Sequence, residues 1–560
     1  MAGLVKMFGA GAMTNSIPEI RDTELMFVIG SNTTEAHPII AMEMKVARQR
    51  GAKLIVADPR KIWLAEHADI HLQLTPGTDV FLLNAMAKVI VDEGLVDRDF
   101  IDKHTEGWPA LRDNLAKFTL EEAERVTGCK AEDIKQAAIW YAQYKRAGIY
   151  YTLGITEHTH GTDNVYSLAN LVLMTGHLGV RSAGMNPLRG QNNVQGANDA
   201  GCSPVFYPGY QKCDDESVRK KFGEAWGIGE GPGPGKNLNE MMKLVEHGEM
   251  QALYIMGEDI VISEPNCNVL EESLKTIEFL VCQDIFPNMT TPFAHVILPG
   301  ASFAEKDGVF TNSDRRVQRV RKGVNPPGNA LPDWEILIDF AKAVGYDMPQ
   351  YQHPGEIYAE LARLSPNFSG ISYERLEEYP RGLQWPCKSA DDPGSDYLHK
   401  GGPVIGKGQF QSVEYRPSAE LPDDGYPLIL STGRVLYQYN SATQTRRDAG
   451  TNAKAGENFV EVHPDDAEKY GIMDGETVRI VSRRGGIKAK VWLSGRVQKG
   501  CVWMPMHFAE EAANRLTNDA GDIVTGTGEY KVCAVDLVPL REKKKAHGGA
   551  ELQAVRHPEH

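Results

Sequence analysis

The chain has 560 residues, enough for roughly four units of about 150 residues each, so a single small fold is excluded. Hydrophobic residues at 42% and charged residues at 24% are ordinary for a chain that buries an extensive core, which excludes disorder throughout. Asp plus Glu number 75 against 60 Lys plus Arg, and the resulting net charge of -15 argues against nonspecific nucleic-acid or anionic-membrane binding as the main function.

In chain order, the apolar run LMFVIGSN at 25–32 ends in small and polar residues and leads into helical sequence through Arg50, which predicts strand, turn and helix. A second strand is predicted within Lys53–Lys61, ending in Asp58, Pro59 and Arg60, and a third within His71–Asp79. In an open parallel sheet such strand ends converge on the crevice where ligands bind, with loop amides and helix N-termini available to phosphate. GSNTTE is not the GxGxxG dinucleotide fingerprint, and any one of these loops alone is consistent with a simple helix cap. Three in order favour a nucleotide-like ligand. After helical sequence over 120–144, GIYYTLGITEHTHGTDN begins as a buried strand and runs into a loop carrying Glu157, His158 and His160. The histidine spacing matches no familiar ligand pattern, so these residues read as solvated or hydrogen-bonded within the loop and no zinc site is assigned.

Gly176–Gly201 concentrates Gly, Arg, Gln and Asn. It reads either as a loop suited to wrapping a polyanionic or amide-rich ligand or as a solvent-exposed interdomain loop. Met250–Ile260 and Ile277–Asn288 repeat the pattern of strand and polar loop and predict a second αβ layer. Gly227–Lys236 reads as a surface insertion and Ser365–Val404 as a connection, which puts a boundary near residue 420. From Tyr426 onward, YPLILSTGR, GETVRIVSRRG, GIKAKVWLSG and GCVWMPMHF predict a β-barrel with helical additions, including a short helix at His463–Gly471. The polar stretch 543–560 is expected to be a disordered tail. The eight cysteines form no CxxC or CxxxC pair, so cluster or zinc ligation by this chain is not expected. Scattered thiols, the lack of an apolar run of membrane-spanning length and the lack of an export pattern in 1–20 lead to a cytoplasmic expectation.

Taken together, IGSNTTEAHP, VADPRK, TPGTD, GITEHTHGTDN, MNPLRGQNNVQGANDAG, MGEDI, LPGASFAEKDGVFTNSDRRVQ and LSTGR resemble the catalytic subunit of molybdenum- or tungsten-dependent formate dehydrogenases. These belong to the dimethyl sulfoxide reductase family, and the resemblance runs from Met1 to about residue 540. It implies an α/β architecture with two Rossmann-like regions that bind pterin guanine dinucleotides, at 1–191 and 192–305. Residues 306–419 would hold the rest of the second region, a remnant of the cluster domain and a connection, and 420–542 a six-stranded type of β-barrel closing over the pterins. The implied cofactors are two molybdopterin guanine dinucleotides with Mo or W. Guanine donors call for carboxylates, and phosphates for backbone amides and cations. On that basis Asp58 and Asp79 are expected at guanosine, with Gly30, Ser31, Asn32, Arg60, Pro76 and Gly77 as loop walls. Gly257, Glu258, Gln283, Asp284 and Asn312 would play the matching role in the second half, and Gly190, Gln191 and Asn192 would also contact cofactor. Thr432, Gly433, Arg434, His507 and Asn514 are the expected pterin contacts from the barrel.

Arg189 matches the family arginine that stands beside the metal, where its guanidinium would orient the formate carboxylate. The alternative is that it pairs with a cofactor phosphate or a domain-crossing carboxylate. The family's N-terminal segment carries four cysteines for a [4Fe-4S] cluster, a lysine, and a selenocysteine or cysteine metal ligand followed by histidine. None of these is in this sequence, and MAGLVKMFGAGAMTNS resembles the stretch just after that pair. The protein's metal ligand and cluster are therefore expected upstream of Met1, either behind a UGA codon read as stop or on a separate polypeptide. The implied activity is reversible two-electron oxidation of formate to CO2, the hydrogen leaving as hydride or as proton. Electrons would pass to iron-sulfur partner subunits, with no membrane span in this chain. Another family oxidoreductase such as a nitrate reductase, or a noncatalytic cofactor-binding fragment, is the alternative.

Overall fold

A computed structural model describes residues 1–540, and the expected tail at 543–560 lies outside the described residues. The first layer is a five-stranded sheet of β1 (Leu25–Ile29), β2 (Lys53–Ala57), β3 (Ile70–Leu72), β4 (Ala147–Tyr151) and β5 (Gly184–Pro187). Its order is β3-β2-β1-β4-β5 and every neighbouring pair is parallel. The side chains of β1 alternate between two cores. Leu25, Phe27 and Ile29 pack with residues of the helices Asp79–Asp92, Ala131–Gln143 and Gly161–Met174, whereas Met26 and Val28 pack with Ile40 and Met44 of the helix Pro38–Gln49. Burial on both faces is why this strand reads as an unbroken apolar run, and each such residue contributes about 1.5–3 kcal/mol. The chain builds β1 to β3 outward in one direction and then returns to lay β4 against the other side of β1. The strand order thus reverses between β1 and β4, the switch point at whose carboxyl ends a crevice forms.

The Gly176–Gly201 segment is not one wrapping loop. It contains the buried strand β5 and a helix at Val194–Asp199. Gly184 sits at φ +78°, where a Cβ would strike the Thr14 and Asn15 side chains, so this glycine serves close packing.

A second, three-stranded parallel sheet joins β6 (Ala252–Met256), β7 (Phe279–Asp284) and β8 (Val296–Pro299) in the order β8-β7-β6. It is followed by the hairpin β9 (Gly308–Thr311) and β10 (Arg316–Val320), which pairs with β11 (Leu383–Gln384). The connection that follows is pinned to the first layer: Leu398 N–H donates to Thr14 O at 2.7 Å and Ile405 N–H to Phe8 O at 3.1 Å.

The C-terminal part is a closed six-stranded barrel of β12 (Leu428–Gly433), β13 (Phe459–Val462), β14 (Thr477–Val481), β15 (Gly486–Leu493), β16 (Cys501–Pro505) and β17 (Cys533–Pro539). Their order is β12-β16-β13-β15-β14-β17. In β15, Ile487, Ala489 and Val491 point into the barrel core and alternate with exposed residues, the period-two pattern that a barrel wall requires. The mixed α/β class with a six-stranded barrel is the architecture the sequence implies, whereas β13 and β17 have no counterpart among the strands expected from sequence. Among the described residues no helix is long and apolar enough to cross a membrane.

Candidate functional site

A cavity with about 970 Å³ of empty space lies where the crevice of the first sheet meets the barrel. Its floor is made by Gly30 and Asn32 after β1, Asp58 and Arg60 after β2, Pro76, Gly77 and Asp79 ahead of and into the helix Asp79–Asp92, and Thr152, Gly154 and His158 after β4. Its roof comes from Thr432, Gly433 and Arg434 at the end of β12, Trp503 of β16, and Gln498 and Lys531. The loops of β1 and β4 touch through backbone: a Cβ on Gly154 would lie 2.6 Å from Gly30 Cα. Gly154→Ala is therefore expected to force these loops apart and to lower stability by about 1–3 kcal/mol, read as a lower thermal midpoint.

Two carboxylates face this space. Asp58 accepts from Arg60 N–H at 2.9 Å, and desolvation pushes its carboxyl up to about 6. Asp79 is 5% exposed and is also raised by burial, an effect that His158, 4.0 Å away, opposes. The His158 ring is 2% exposed, and burial works against its charged form. Glu529 and Asp79 outweigh that and raise its pKa, although at 3.7 Å from Glu529 the ring makes a charge contact rather than a hydrogen bond.

The cations of the cavity differ in what they have left to offer. Arg60 lines it, but its guanidinium is 3.9 Å from the Trp503 ring centroid, and its Nε–H donates to Glu461 Oε2 at 2.6 Å with a second bond from Nη2 to the other oxygen. Its Nε side is thus taken by a carboxylate across the interface between sheet and barrel, which neutralises the cation. Lys531 pairs with Glu157 at 2.8 Å. Arg434 makes no hydrogen bond or ion pair among the described residues.

Other expected residues lie elsewhere. Ser31 is buried, and its hydroxyl is shared with Thr33 at 2.9 Å. His507 lies behind the roof: Nδ1 bonds to Asn440 O, Nε2 accepts from Val435 N–H at 3.0 Å, and burial lowers the ring to about 4. Asn514 donates to Ile262 O and Ser263 O, both at 2.9 Å, and so fastens the barrel to the second αβ unit. Neither residue lines the cavity. Gly257, Glu258, Gln283 and Asp284 gather at the carboxyl ends of β6 and β7, away from the first cavity. Gln283 Nε2 donates to Asp333 at 2.7 Å, and Asp284 accepts from Asn288 at 2.9 Å.

Arg189 follows β5 in a loop held on several sides. Its N–H donates to Ser313 Oγ at 3.0 Å, its carbonyl meets His37 Nε2 at 2.7 Å, and Asn192 further along meets Tyr439 Oη at 3.3 Å. Asn312 accepts from Arg316 N–H and shapes the turn that carries Ser313. Gly190 is exposed and Gln191 half-buried in the same loop. The Arg189 guanidinium donates from Nε to Gln195 Oε1 at 3.0 Å and from Nη2 to Gly11 O at 2.9 Å, with no carboxylate on it.

The family model described as molybdopterin oxidoreductase matches residues 6–343, and the model described as molydopterin dinucleotide binding domain matches 428–534. The chain belongs to the molybdopterin oxidoreductase family. It is 45% identical over 547 residues to F420-dependent formate dehydrogenase 2 subunit alpha of Methanococcus maripaludis, covering 96% of this chain and 79% of that protein. It is 39% identical over 552 residues to formate dehydrogenase H of Escherichia coli, covering 98% and 77%. Among solved structures, acetylene hydratase from Pelobacter acetylenicus superposes with a TM-score of 0.76 over 96% of this chain and 80% of that one at 19% identity, a likeness of fold.

A molybdopterin dinucleotide suits this cavity of the molybdopterin oxidoreductase chain. Two desolvated carboxylates would offer acceptors to base N–H groups, and the unpaired Arg434 would offer a cation to a phosphate. The Asn32 side-chain amide is buried with Nδ2 lacking any protein acceptor, a donor that a ligand oxygen would satisfy. Trp503, Gln498, Lys531 and Thr152 are cavity residues that sequence reasoning missed. Trp503, Gln498 and Lys531 reach the site only when the barrel closes over the sheet, whereas Thr152 already stands in the floor after β4.

Proposed function

We propose that this chain is the catalytic α-subunit portion of a formate dehydrogenase, carrying out reversible two-electron oxidation of formate to CO2 at a Mo or W centre held by two molybdopterin guanine dinucleotides. The observation that carries the reading is Arg189. Two of its five N–H groups are engaged by Gln195 and Gly11, and both Nη1 hydrogens and one on Nη2 remain, the set that grips a carboxylate in bidentate fashion. The names and coverage of the relatives support the same substrate. When bound, the metal supplies the two-electron acceptor. Arg189 binds and orients formate, Asp58 and Asp79 receive guanine N–H donors, and Arg434 and the Asn32 amide receive phosphate oxygens. Residues 1–191 and 192–305 would serve one dinucleotide each. A [4Fe-4S] cluster and iron-sulfur partner subunits, outside this chain, would carry electrons away. The eight unpaired cysteines suit a reducing, cytoplasmic setting.

Asp58 gives this reading a pH signature. Guanine donors need the ionised carboxylate, and with the group at about 6 in the folded protein, dinucleotide retention should fall as pH drops below about 6 and hold steady above it. Asp58→Asn should lower retention at neutral pH by about 10- to 100-fold, the weight of a hydrogen bond to a charged group, and should abolish the pH step. Guanine released from the protein after equilibration at each pH measures both effects.

The activity is tested with the cofactor-loaded subunit, comparing formate-dependent dye reduction with nitrate-dependent dye oxidation. Formate turnover is the expected result. Nitrate turnover without formate turnover would replace this reading with that of another family oxidoreductase.

A further inference from the structure

Arg60 and Arg189 are each held through Nε and Nη2, but by different partners. Arg60 meets the Glu461 carboxylate directly, which neutralises it at contact. Behind Arg189 the carboxylate stands one amide further back. Gln195 accepts from Arg189 through Oε1 and donates from Nε2 to Asp199 Oδ1 at 2.9 Å and to Tyr210 Oη at 2.6 Å. Tyr210 donates its hydroxyl to the same Asp199 oxygen at 2.8 Å, and Trp385 Nε1–H donates to Asp199 Oδ2 at 2.8 Å. Gln195 is 0% and Asp199 3% exposed, so water does not compete for these bonds.

The direction of this chain follows from the chemistry of its last member. An ionised carboxylate only accepts, so the Gln195 NH2 must face Asp199 and its oxygen must face Arg189. We propose that Asp199 is a positioning residue for substrate binding: acting through Gln195, it fixes the plane of the Arg189 guanidinium and supplies its counter-charge from a distance, leaving the outer fork free for a one-carbon carboxylate. A carboxylate placed directly on Arg189 would neutralise it at contact, as Glu461 does Arg60, and would compete with a substrate carboxylate for the charge. The proposal rests on the reading of Arg189 as the formate-binding residue. Asparagine at 199 keeps the shape and replaces one acceptor oxygen with an NH2 that must confront either Trp385 Nε1–H or the donors from Gln195 and Tyr210.

The first test needs no cofactor. In the full chain labelled with [15Nε]arginine, the Arg189 Nε–H resonance is assigned by its disappearance in Arg189→Lys, and its hydrogen exchange is measured. Exchange should be at least about ten-fold faster in Asp199→Asn and in Gln195→Leu, the loss of one charge-assisted hydrogen bond. Rates within about two-fold of wild type would overturn the link. The second test uses the cofactor-loaded subunit. Both variants should raise the formate KM about ten-fold, with kcat falling less. If Arg189→Ala leaves KM unchanged, the reading of Arg189 fails while the exchange result still judges the link from Asp199. If Arg189→Ala raises KM and the two variants do not, the positioning role is overturned. Should Asp199→Asn fail to fold, Gln195→Leu, which leaves Asp199 its Tyr210 and Trp385 donors, decides the question alone.

Discussion

Replacing Arg189 by Ala is expected to raise the KM for formate by about 100-fold or more, with cofactor content unchanged. Charge-assisted hydrogen bonds contribute about 1.5–3 kcal/mol each, and a bidentate grip loses two of them together. Cofactor should stay because the Arg189 side chain does not line the cavity between sheet and barrel, and its own bonds run to Gln195 and Gly11. Arg189→Lys should fall between the two, since it keeps the charge and loses the planar fork. Steady-state kinetics together with metal and pterin analysis of each variant checks this. A parallel loss of cofactor in Arg189→Ala would instead make the residue a cofactor anchor, the alternative that the sequence leaves open.

Glu461→Gln should destabilise the fold by about 3–5 kcal/mol, the usual cost of removing one partner of a buried ion pair. Arg60 would remain 6% exposed with no carboxylate on its fork, and Arg496, whose Nη1 is 3.8 Å from Glu461, would then repel it. The stacking of Arg60 on Trp503 would persist, which keeps the cation in place instead of letting it swing to solvent. Changing both partners to apolar residues of similar size, Arg60→Met with Glu461→Leu, should recover most of the loss, because the desolvation cost disappears with the charges. The thermal midpoints of the single and double variants settle the matter. A single variant within about 1 kcal/mol of wild type would mean that the pair carries little of the interface.

The floor of the cavity is legible in the sequence because strand ends in a parallel sheet announce themselves: an apolar run stops, and Gly30, Asp58 and Gly77 follow in polar loops. The roof is only half legible. Thr432, Gly433 and Arg434 end a visible strand, but Trp503 and Lys531 look like any barrel tryptophan and any loop lysine until β12 and β16 pair. Arg60 reads as a free loop cation because its partner is 401 positions away, beyond any local pattern. His507 and Asn514 carry ligand-like side chains, and nothing in their neighbours reveals that Asn440, Val435 and the carbonyls of 262 and 263 already satisfy them. Asp199 gives little local signal because, beyond Gln195 on its own helix, its donors Tyr210 and Trp385 come from separate segments.

The cavity draws its floor from residues 30–158 and its roof from residues 431–531. During synthesis, then, the floor emerges from the ribosome with several hundred residues still to be made, and no enclosed space exists until Lys531 has been added. A dinucleotide bound there would be enclosed only after the barrel has been made. Held there, it would touch two parts of the polypeptide far apart in sequence and would act as a bolt: the barrel could not lift away without releasing it, and occupancy would add to the cohesion of the fold according to how tightly the ligand is held.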